Sequence, residues 1–401
     1  MTPARDLRTG LSVWQQAGVR TVAHEALTRN TKAEVVVVGA GISGALVAET
    51  LGDAGFDVLV VDRRGAVRGS TVASTALVQY DIDTPLLHLA RRMGWTDAVR
   101  VWRRSRLVLD MLRERTRHLQ IEAECENRDA LYLDGTLLSP SALRLEGEAR
   151  RRAGFEVVHL TRGDVEQRTG IRRRSALLSF DQMQADPRKL AAGYLRTAVS
   201  HGARLCAPVD VVSVEPGKRR TQVRTAAGPV VSARFVVFAT GYEVPEVVPQ
   251  RGHSIASTWV IATRPQARRL WRERSLMWEA SSTYLYLRTT ADNRIICGGA
   301  DEPFSSAVAR DALLPAKTRV LEQRLQRLLP HVDARADFAW CGSFGTSTNG
   351  TPSIGVVPGL PRCYAVLGFG GNGITFSAMA AQMLRAELLG RADPDRELFA
   401  F

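Results

Sequence analysis

Gly39, Gly41 and Gly44 fall in the pattern G-x-G-x-x-G, and their surroundings give that pattern its meaning. Four valines, 35–38, run straight into the first glycine. A helical pattern covers 45–54, and a second apolar run, 58–61, ends on Asp62. A strand, a glycine turn and a helix in this order suit the pyrophosphate of a dinucleotide. Gly39 permits the tight turn, Gly41 lets the backbone approach the phosphates, and Gly44 lets helix and strand pack closely. The first N–H groups of the helix lack partners and carry partial positive charge, so they favour an anion. Asp62 can accept hydrogen bonds from a ribose. A lone glycine pattern is weak evidence; one flanked by two strands and a terminal acid is strong.

A second turn of this kind stands near the other end. Gly368-Phe369-Gly370-Gly371-Asn372-Gly373 follows an apolar run at 365–367 and leads into a helical pattern at 374–389. A reduced flavin carries negative charge at its N1–C2=O edge, which a helix N-terminus would stabilise. The alternative is a glycine-rich entry that serves tight packing. Between the two turns, residues 68–77 are small and rich in hydroxyls. Such a segment can lie along a flat ligand, or it can be a polar loop.

These segments need elements to hold them. Residues 33–62 make one βαβ unit, preceded by an amphipathic lead-in around Leu11, Val13 and Trp14. Helical periodicity predicts helices over 84–120, 140–153, 187–200 and 313–329. Asp186-Pro187 supplies a cap and first turn for the third of these. Strand patterns fall at 209–214, 221–225, 234–239, 255–263, 284–289 and 294–297. They do not alternate with helices, so a second, partly antiparallel domain is expected beside the nucleotide-binding one. No internal repeat or low-complexity segment interrupts the pattern.

A chain of 401 residues can form two domains, and 45% apolar with 24% charged residues is ordinary for a globular protein. The net charge of +13 is unusual, and only Lys32, Lys189, Lys218 and Lys317 among the basic residues are lysines. Arginine clusters occur at 91–92, 103–104, 150–152 and 172–174. No aromatic-interleaved basic patch accompanies them, so a solvated arginine-rich surface is expected, with no nucleic-acid partner. Five widely spaced cysteines without a C-x-x-C point to free thiols in a reducing compartment and to no metal site. The first thirty residues hold no apolar leader, and no apolar run is long enough to span a bilayer. The expected location is cytoplasmic.

With these residues in view, the chain resembles the FAD-dependent superfamily of D-amino-acid oxidase, glycine oxidase and sarcosine oxidase. The resemblance rests on 35–44 with 58–62, on 69–77, on Ala185-Asp186-Pro187-Arg188-Lys189-Leu190, on 235–241 and on 368–377. Trp278-Glu279, Tyr284-Leu285-Tyr286-Leu287-Arg288, 298–302 and 349–355 are most similar to the amine-oxidising branch that includes gamma-glutamylputrescine oxidase. The resemblance implies an α/β fold, α+β overall. A Rossmann-like, glutathione-reductase-like FAD domain would be built from 1–85, 187–243 and 345–401. A substrate domain with an antiparallel sheet would be built from 86–186 and 244–344.

The same resemblance places Gly39, Gly41, Ile42, Ser43 and Gly44 on the pyrophosphate, and Asp62, Arg63 and Arg64 at the adenosine ribose. Ser70, Thr71, Ser74, Thr75, Ala76 and Leu77 would run from pyrophosphate to flavin. Val211 would meet the adenine through its backbone, and Thr240 and Gly241 would lie beside the dinucleotide. Gly370, Gly371, Asn372, Gly373, Ile374 and Thr375 would cradle the pyrimidine edge of the flavin. Val72 and Ala73 offer no histidine for covalent attachment. Cys341 stands one place from the attaching cysteine of some relatives, with Gly342 aligned instead, so noncovalent FAD is expected.

Departures from the family bear on substrate. Sarcosine oxidases grip a substrate carboxylate with an arginine and a lysine; here Gln79 and Thr375 fall on those places. Glycine and D-amino-acid oxidases use an arginine that falls here on Phe344, and the acid of the following segment is Asn349. Losing a bidentate arginine weakens carboxylate recognition by roughly several kcal/mol. Arg288 is a candidate substitute; an amine with neutral flanks, or with a distant acid, is the other solution. Tyr284 and Tyr286 share one strand face, as a pocket wall or as a sheet-core pair. Trp259 is either near the flavin or structural. Glu279 is either an ammonium partner or an ion-paired acid. His253 is the histidine nearest the pocket.

The expected reaction is oxidation of a C–N bond in an amine or amino acid, by hydride transfer to flavin and hydrolysis of the imine. Dioxygen would be the acceptor, giving hydrogen peroxide. A dehydrogenase that passes electrons to a quinone or carrier protein is the first rival. A non-catalytic FAD-bound interaction protein is the second.

Overall fold

The four valines before the first glycine have buried side chains on both faces because their strand lies in the middle of a covered sheet. In the computed structural model, which describes residues 4–16 and 18–401, strand Thr31–Val38 pairs in parallel with Val58–Val61 on one side. Val230–Phe238 lies parallel to it on the other side. Arg204–Cys206 and Cys363–Leu367 extend the sheet in parallel, and Ser353–Val356 closes one edge antiparallel. Helix Ile42–Asp53 packs between Pro187–Ser200 and Gly373–Leu388 on one face. The antiparallel pair Val211–Pro216 and Thr221–Thr225 contributes Val211, Val214 and Val223 to the opposite face.

The second sheet is ten-stranded and largely antiparallel, and it meets the expectation of a second architecture beside the first. Its longest pairing is that of His253–Thr263 with Ala336–Ser347, over almost the whole of both strands and next to the edge strand Arg8–Gly10. Ile295–Glu302, Leu285–Thr289 and Leu276–Glu279 follow on one side. Glu126–Leu133 joins in parallel to Leu276–Glu279, and Ala176–Gln184 pairs antiparallel beyond it. Helix Leu314–Leu328 covers one face, burying Leu321 and Leu325 against Trp259, Ile261 and Cys297. The other face looks towards the nucleotide-type sheet.

Two strands from the first 85 residues, Arg8–Gly10 and Leu77–Val78, pair in this second sheet rather than in the first. The helical run expected over 84–120 is two helices, Leu86–Met93 and Trp95–His118. Gly94 separates them with φ +86°, a conformation that costs glycine little and ends the first helix. The long helix then packs on Gly373–Leu388 and buries Trp102 and Leu109 in the core of the first sheet. Among the described residues no helix is long and apolar enough to cross a membrane.

Candidate active site

A single elongated cavity runs between the two sheets and is lined by both glycine turns, the hydroxyl-rich segment and the tyrosine strand. At one end Gly39 holds φ +116°, and a Cβ there would strike the carbonyl of Ala239. A Cβ on Gly44 would run into the carbonyl of Gly39, so the glycine is what lets helix Ile42–Asp53 start against the strand. Gly41 is the N-cap and provides no side-chain cap. The Ile42 N–H donates to Thr71 Oγ1 at 3.0 Å, which ties the turn to the hydroxyl-rich segment. With no side chain on Gly41 in the way, this narrow turn is a cradle for an anion.

Asp62 lines the same end but is largely engaged. Its Oδ2 accepts the Ala40 N–H at 2.8 Å, and its Oδ1 accepts the N–H groups of Arg64 (2.7 Å) and Gly65 (2.9 Å). A carboxylate has roughly four acceptor directions, so one is left for a ligand. Arg63 pairs with Asp210 at 2.9 Å, and Arg64 makes a bidentate pair with Glu243 (2.6 and 2.7 Å). Burial pushes the Glu243 carboxyl up, but the Arg64 bond and the Arg5 N–H outweigh it and hold the group below its ordinary value.

The middle of the cavity is the segment 70–77. Its carbonyls from Ala73 to Ala76 each accept a side-chain donor: Trp340 Nε1 donates to Ala73 O, and Trp14 Nε1 to Ser74 O. Arg288 Nη1 donates to Thr75 O (3.2 Å), Ala76 O (3.0 Å) and Ala185 O (2.7 Å). Ser70, Thr71, Ser74 and Thr75 line the cavity, and the Ser74 hydroxyl accepts the Ala76 N–H at 3.1 Å. Ser43 Oγ and Ser377 Oγ lie 2.8 Å apart, so the helices that follow the two glycine turns are joined directly.

At the far end Gly370, Gly371 and Asn372 form the floor. Asn372 Nδ2 donates to Gln79 O and Asp81 O, and its Oδ1 accepts the Asp83 N–H. Asp83 Oδ2 accepts the Gly371 N–H at 2.6 Å. Tyr242, Trp278, Tyr284, Tyr286 and Phe344 line this end, and Tyr286 OH lies 3.3 Å from Thr258 Oγ1. A Cβ on Gly298 would collide with the Tyr286 ring, so that glycine lets the ring lie flat across the sheet.

Most sequence-predicted residues meet in this one cavity: Gly39, Gly41, Ile42, Ser43, Asp62, Arg63, Arg64, Ser70, Thr71, Ser74, Thr75, Ala76, Leu77 and Gln79 line it. So do Val211, Thr240, Gly241, Tyr284, Tyr286, Phe344, Gly370, Gly371, Asn372, Gly373 and Ile374. Gly44 and Thr375 lie behind the lining; the Thr375 hydroxyl donates to Gln79 O at 2.8 Å.

Two readings are corrected. Arg288 is no carboxylate clamp, because its buried guanidinium points under the 70–77 segment and over the Trp14 ring, with burial pulling it down to about 10. Trp259 is in the core beneath Leu314–Leu328, its Nε1 donating to Arg310 O. Period-two alternation explains the second case: Thr258 and Gly342 are opposite each other and face the cavity, so their neighbours Trp259 and Cys341 face away. The Cys341 thiol meets Asp311 and Thr9 O instead, and burial raises it to about 11.

Glu279 is the ion-paired acid, held by Arg174 and Arg324. His253 lies beneath Gly368 and bonds Ser353 Oγ at 3.0 Å. Asp83, Tyr242 and Thr258 line the cavity without having been singled out in the sequence. No spacing marks them, since they reach it from three separate segments.

The model of the DAO family, FAD-dependent oxidoreductases, matches residues 34–387. Gamma-glutamylputrescine oxidoreductase of Escherichia coli is 24% identical over 383 residues, covering 93% of this chain and 87% of that protein. L-proline dehydrogenase from P. horikoshii superposes with a TM-score of 0.75 at 17% identity, covering 92% of this chain and 97% of that one. Glycine oxidase from Geobacillus kaustophilus superposes with a TM-score of 0.73 at 19% identity, covering 92% and 98%.

Proposed function

The chain belongs to the family of FAD-dependent oxidoreductases, and on that premise we propose that it oxidises the C–N bond of an amine with no carboxylate beside the reacting carbon. The observation that carries this reading is the charge of the lining. Among the described residues, the basic side chains along the cavity are Arg63 and Arg64, both at the ribose end and both paired with acids. The far end offers a substrate no guanidinium or ammonium. An α-carboxylate would meet only neutral groups and Asp83 there, which disfavours it. Gamma-glutamylputrescine oxidoreductase bears the name of an amine, and glycine oxidase and L-proline dehydrogenase bear those of amino acids; the lining favours the first class.

The residues present fit FAD. The narrow glycine turn at 39–44 would hold the pyrophosphate, the hydroxyl-bearing residues of 70–75 would follow it, and 370–374 would receive the flavin. Bound FAD supplies the hydride acceptor for the carbon next to nitrogen. The chain's own work is to orient that carbon, to exclude water with its aromatic wall, and to accept the amine as its free base. The imine product hydrolyses in water.

Dioxygen is the acceptor on the first reading, with hydrogen peroxide as product. A dehydrogenase is the second, favoured by Thr375 where sarcosine oxidases carry a lysine. The test is an anaerobic titration of the purified flavoprotein with amines and amino acids, followed at the flavin absorbance. Bleaching by amines and not by α-amino acids is expected. Bleaching by simple α-amino acids alone would overturn the reading, and the speed of recolouring in air separates oxidase from dehydrogenase.

A further inference from the structure

The second glycine turn is docked on residues 79–83, and that segment is held from behind by buried charges. Asn372, in the turn, bonds to the segment three times. Its Nδ2 donates to Gln79 O (3.2 Å) and Asp81 O (2.8 Å), and its Oδ1 accepts the Asp83 N–H (3.2 Å). Asp83 Oδ2 adds a fourth bond by accepting the Gly371 N–H, and Gln79 O a fifth by accepting the Thr375 hydroxyl. Where the turn sits therefore follows from where 79–83 sits.

The far side of the segment meets Arg150, from helix Pro140–Arg152. Arg150 Nη1 donates to Asp81 Oδ2 at 3.1 Å, and Ser179 Oγ donates to the same oxygen at 2.8 Å. Arg150 Nε donates to Glu146 Oε1 at 2.9 Å. The Glu146 carboxylate in turn accepts the N–H groups of Leu86 (2.8 Å) and Leu87 (3.0 Å), which open helix Leu86–Met93. The guanidinium lies over the Trp102 ring, 4.5 Å from its centroid. Arg150, Asp81 and Glu146 are all buried. Burial works against the Arg150 charge, but Asp81 and Glu146 outweigh it and hold the group above its ordinary value.

Two acids that share one guanidinium away from water are a poor source of stability, since apolar side chains of like volume often serve as well or better. A satisfied polar network does provide fixed direction, which apolar packing does not. Here the direction is passed on. The residue whose carboxylate Arg150 holds, Asp81, is also the residue whose carbonyl Asn372 hangs from. Arg150 and Asp81 do not line the cavity themselves, whereas Gln79, Asp83 and Asn372 do.

We infer that Arg150 is a positioning residue for the flavin end of the cavity: through Asp81 and Asn372 it fixes the place of the second glycine turn against the bound cofactor. The inference rests on the flavin lying at 370–374 and on no choice of substrate.

The test titrates the apo-form of the full chain with FAD and reads two quantities, the dissociation constant and the absorbance spectrum of the bound flavin. Arg150→Met is expected to bind FAD about tenfold more weakly and to shift the flavin band. Asn372→Ala should do the same, and the double variant should be no weaker than Asn372→Ala alone, because both act through one chain of bonds. Arg150→Lys, which keeps a donor for Asp81, should recover part of the loss. Arg104→Met is the comparison: it breaks another shielded pair, with Asp393 at 2.9 Å, away from the cavity. It should melt below the parent with FAD affinity and spectrum unchanged. If Arg150→Met behaves like Arg104→Met, or if its effect adds fully to that of Asn372→Ala, Arg150 has a structural role only and the inference is overturned. An Asn372→Ala variant that binds FAD as the parent does would overturn it together with the placement of the flavin. Should Arg150→Met not fold, Ser179→Ala, which takes one donor from Asp81, decides. A smaller shift of the flavin band, absent when Asn372→Ala is already in place, supports the inference, and an unshifted band overturns it.

Discussion

Arg288 and Asp301 show how much a single side chain's direction decides. Arg288 sits in a motif that pointed to the substrate, yet it serves the loop that lines the cavity. Replacing it with Met leaves Thr75 O, Ala76 O and Ala185 O without their donor, at a cost of about 3 kcal/mol or more. Arg288→Met is therefore expected to melt lower and to lose FAD on gel filtration, while the flavoprotein that survives keeps its preference between amines and amino acids. A switch in preference with FAD content intact would restore the clamp. Asp301 lies near the Thr258–Tyr286 pair with an unpartnered Oδ1. Burial raises its carboxyl to about 6, with Asp83 adding to the rise and Thr258, Lys317 and Arg324 opposing it. The native chain thus holds a proton that the unfolded chain releases at lower pH. Stability falls as pH rises from the ordinary carboxylate range to about 6, and stays lowered above it. Asp301→Asn removes this term, so it should melt above the parent at about pH 8 and level with it near pH 4. A constant offset across that range would assign the effect to packing instead.

The elements divide into those the residue pattern reveals and those it hides. Thr31–Val38 is legible because burial on both faces leaves an unbroken valine run, and Pro187–Ser200 because Asp186 caps it with bonds to the N–H groups of Arg188 and Lys189. Ala336–Ser347, Glu126–Leu133 and Ala176–Gln184 are not, although they carry much of the second sheet. Ala336–Ser347 is full of Gly, Ser and Ala, which have little strand preference of their own and are held by the ladder to His253–Thr263. Asp83 was hidden for a related reason: only the tertiary approach of Gly371 gives it a role. The glycine turn itself, where sequence and structure coincide, is the sharpest element to test. Gly44→Ala must drive helix Ile42–Asp53 off the strand, because the new Cβ has backbone and no flexible side chain in its way. Overpacking of this kind costs about 1–3 kcal/mol or more. The variant should fold with its secondary structure intact by circular dichroism and purify colourless, whereas Gly52→Ala, which meets nothing within 4 Å, should remain yellow.

At the scale of the whole molecule, the cavity is the place where the two sheets meet, and this makes a ligand part of the architecture. The nucleotide-type sheet supplies the turns at 39–44 and 370–373; the second sheet supplies Thr258, Trp278, Tyr286 and Phe344. Direct bonds cross between them, as from Trp340 to Ala73 and from Arg288 to Ala76. These bonds hold the segment 70–77 at the middle of the cavity, where a dinucleotide would bridge the two walls. FAD that binds the native chain and not the unfolded one adds stability as RT ln(1 + [L]/Kd), about 4 kcal/mol at a thousandfold excess over Kd. Apo-protein prepared at high salt should consequently melt several degrees lower, and its melting point should climb as FAD is returned. ADP, which reaches only the turn at 39–44 and the Asp62 end, should recover a smaller part. The far end would then stay open to protease in the ADP complex and close in the FAD complex, with cleavage near 370–373 as the readout. If ADP and FAD raised the melting point equally, the second glycine turn would have no share in holding the cofactor, and the pairing of the two turns along one cavity would lose its functional meaning.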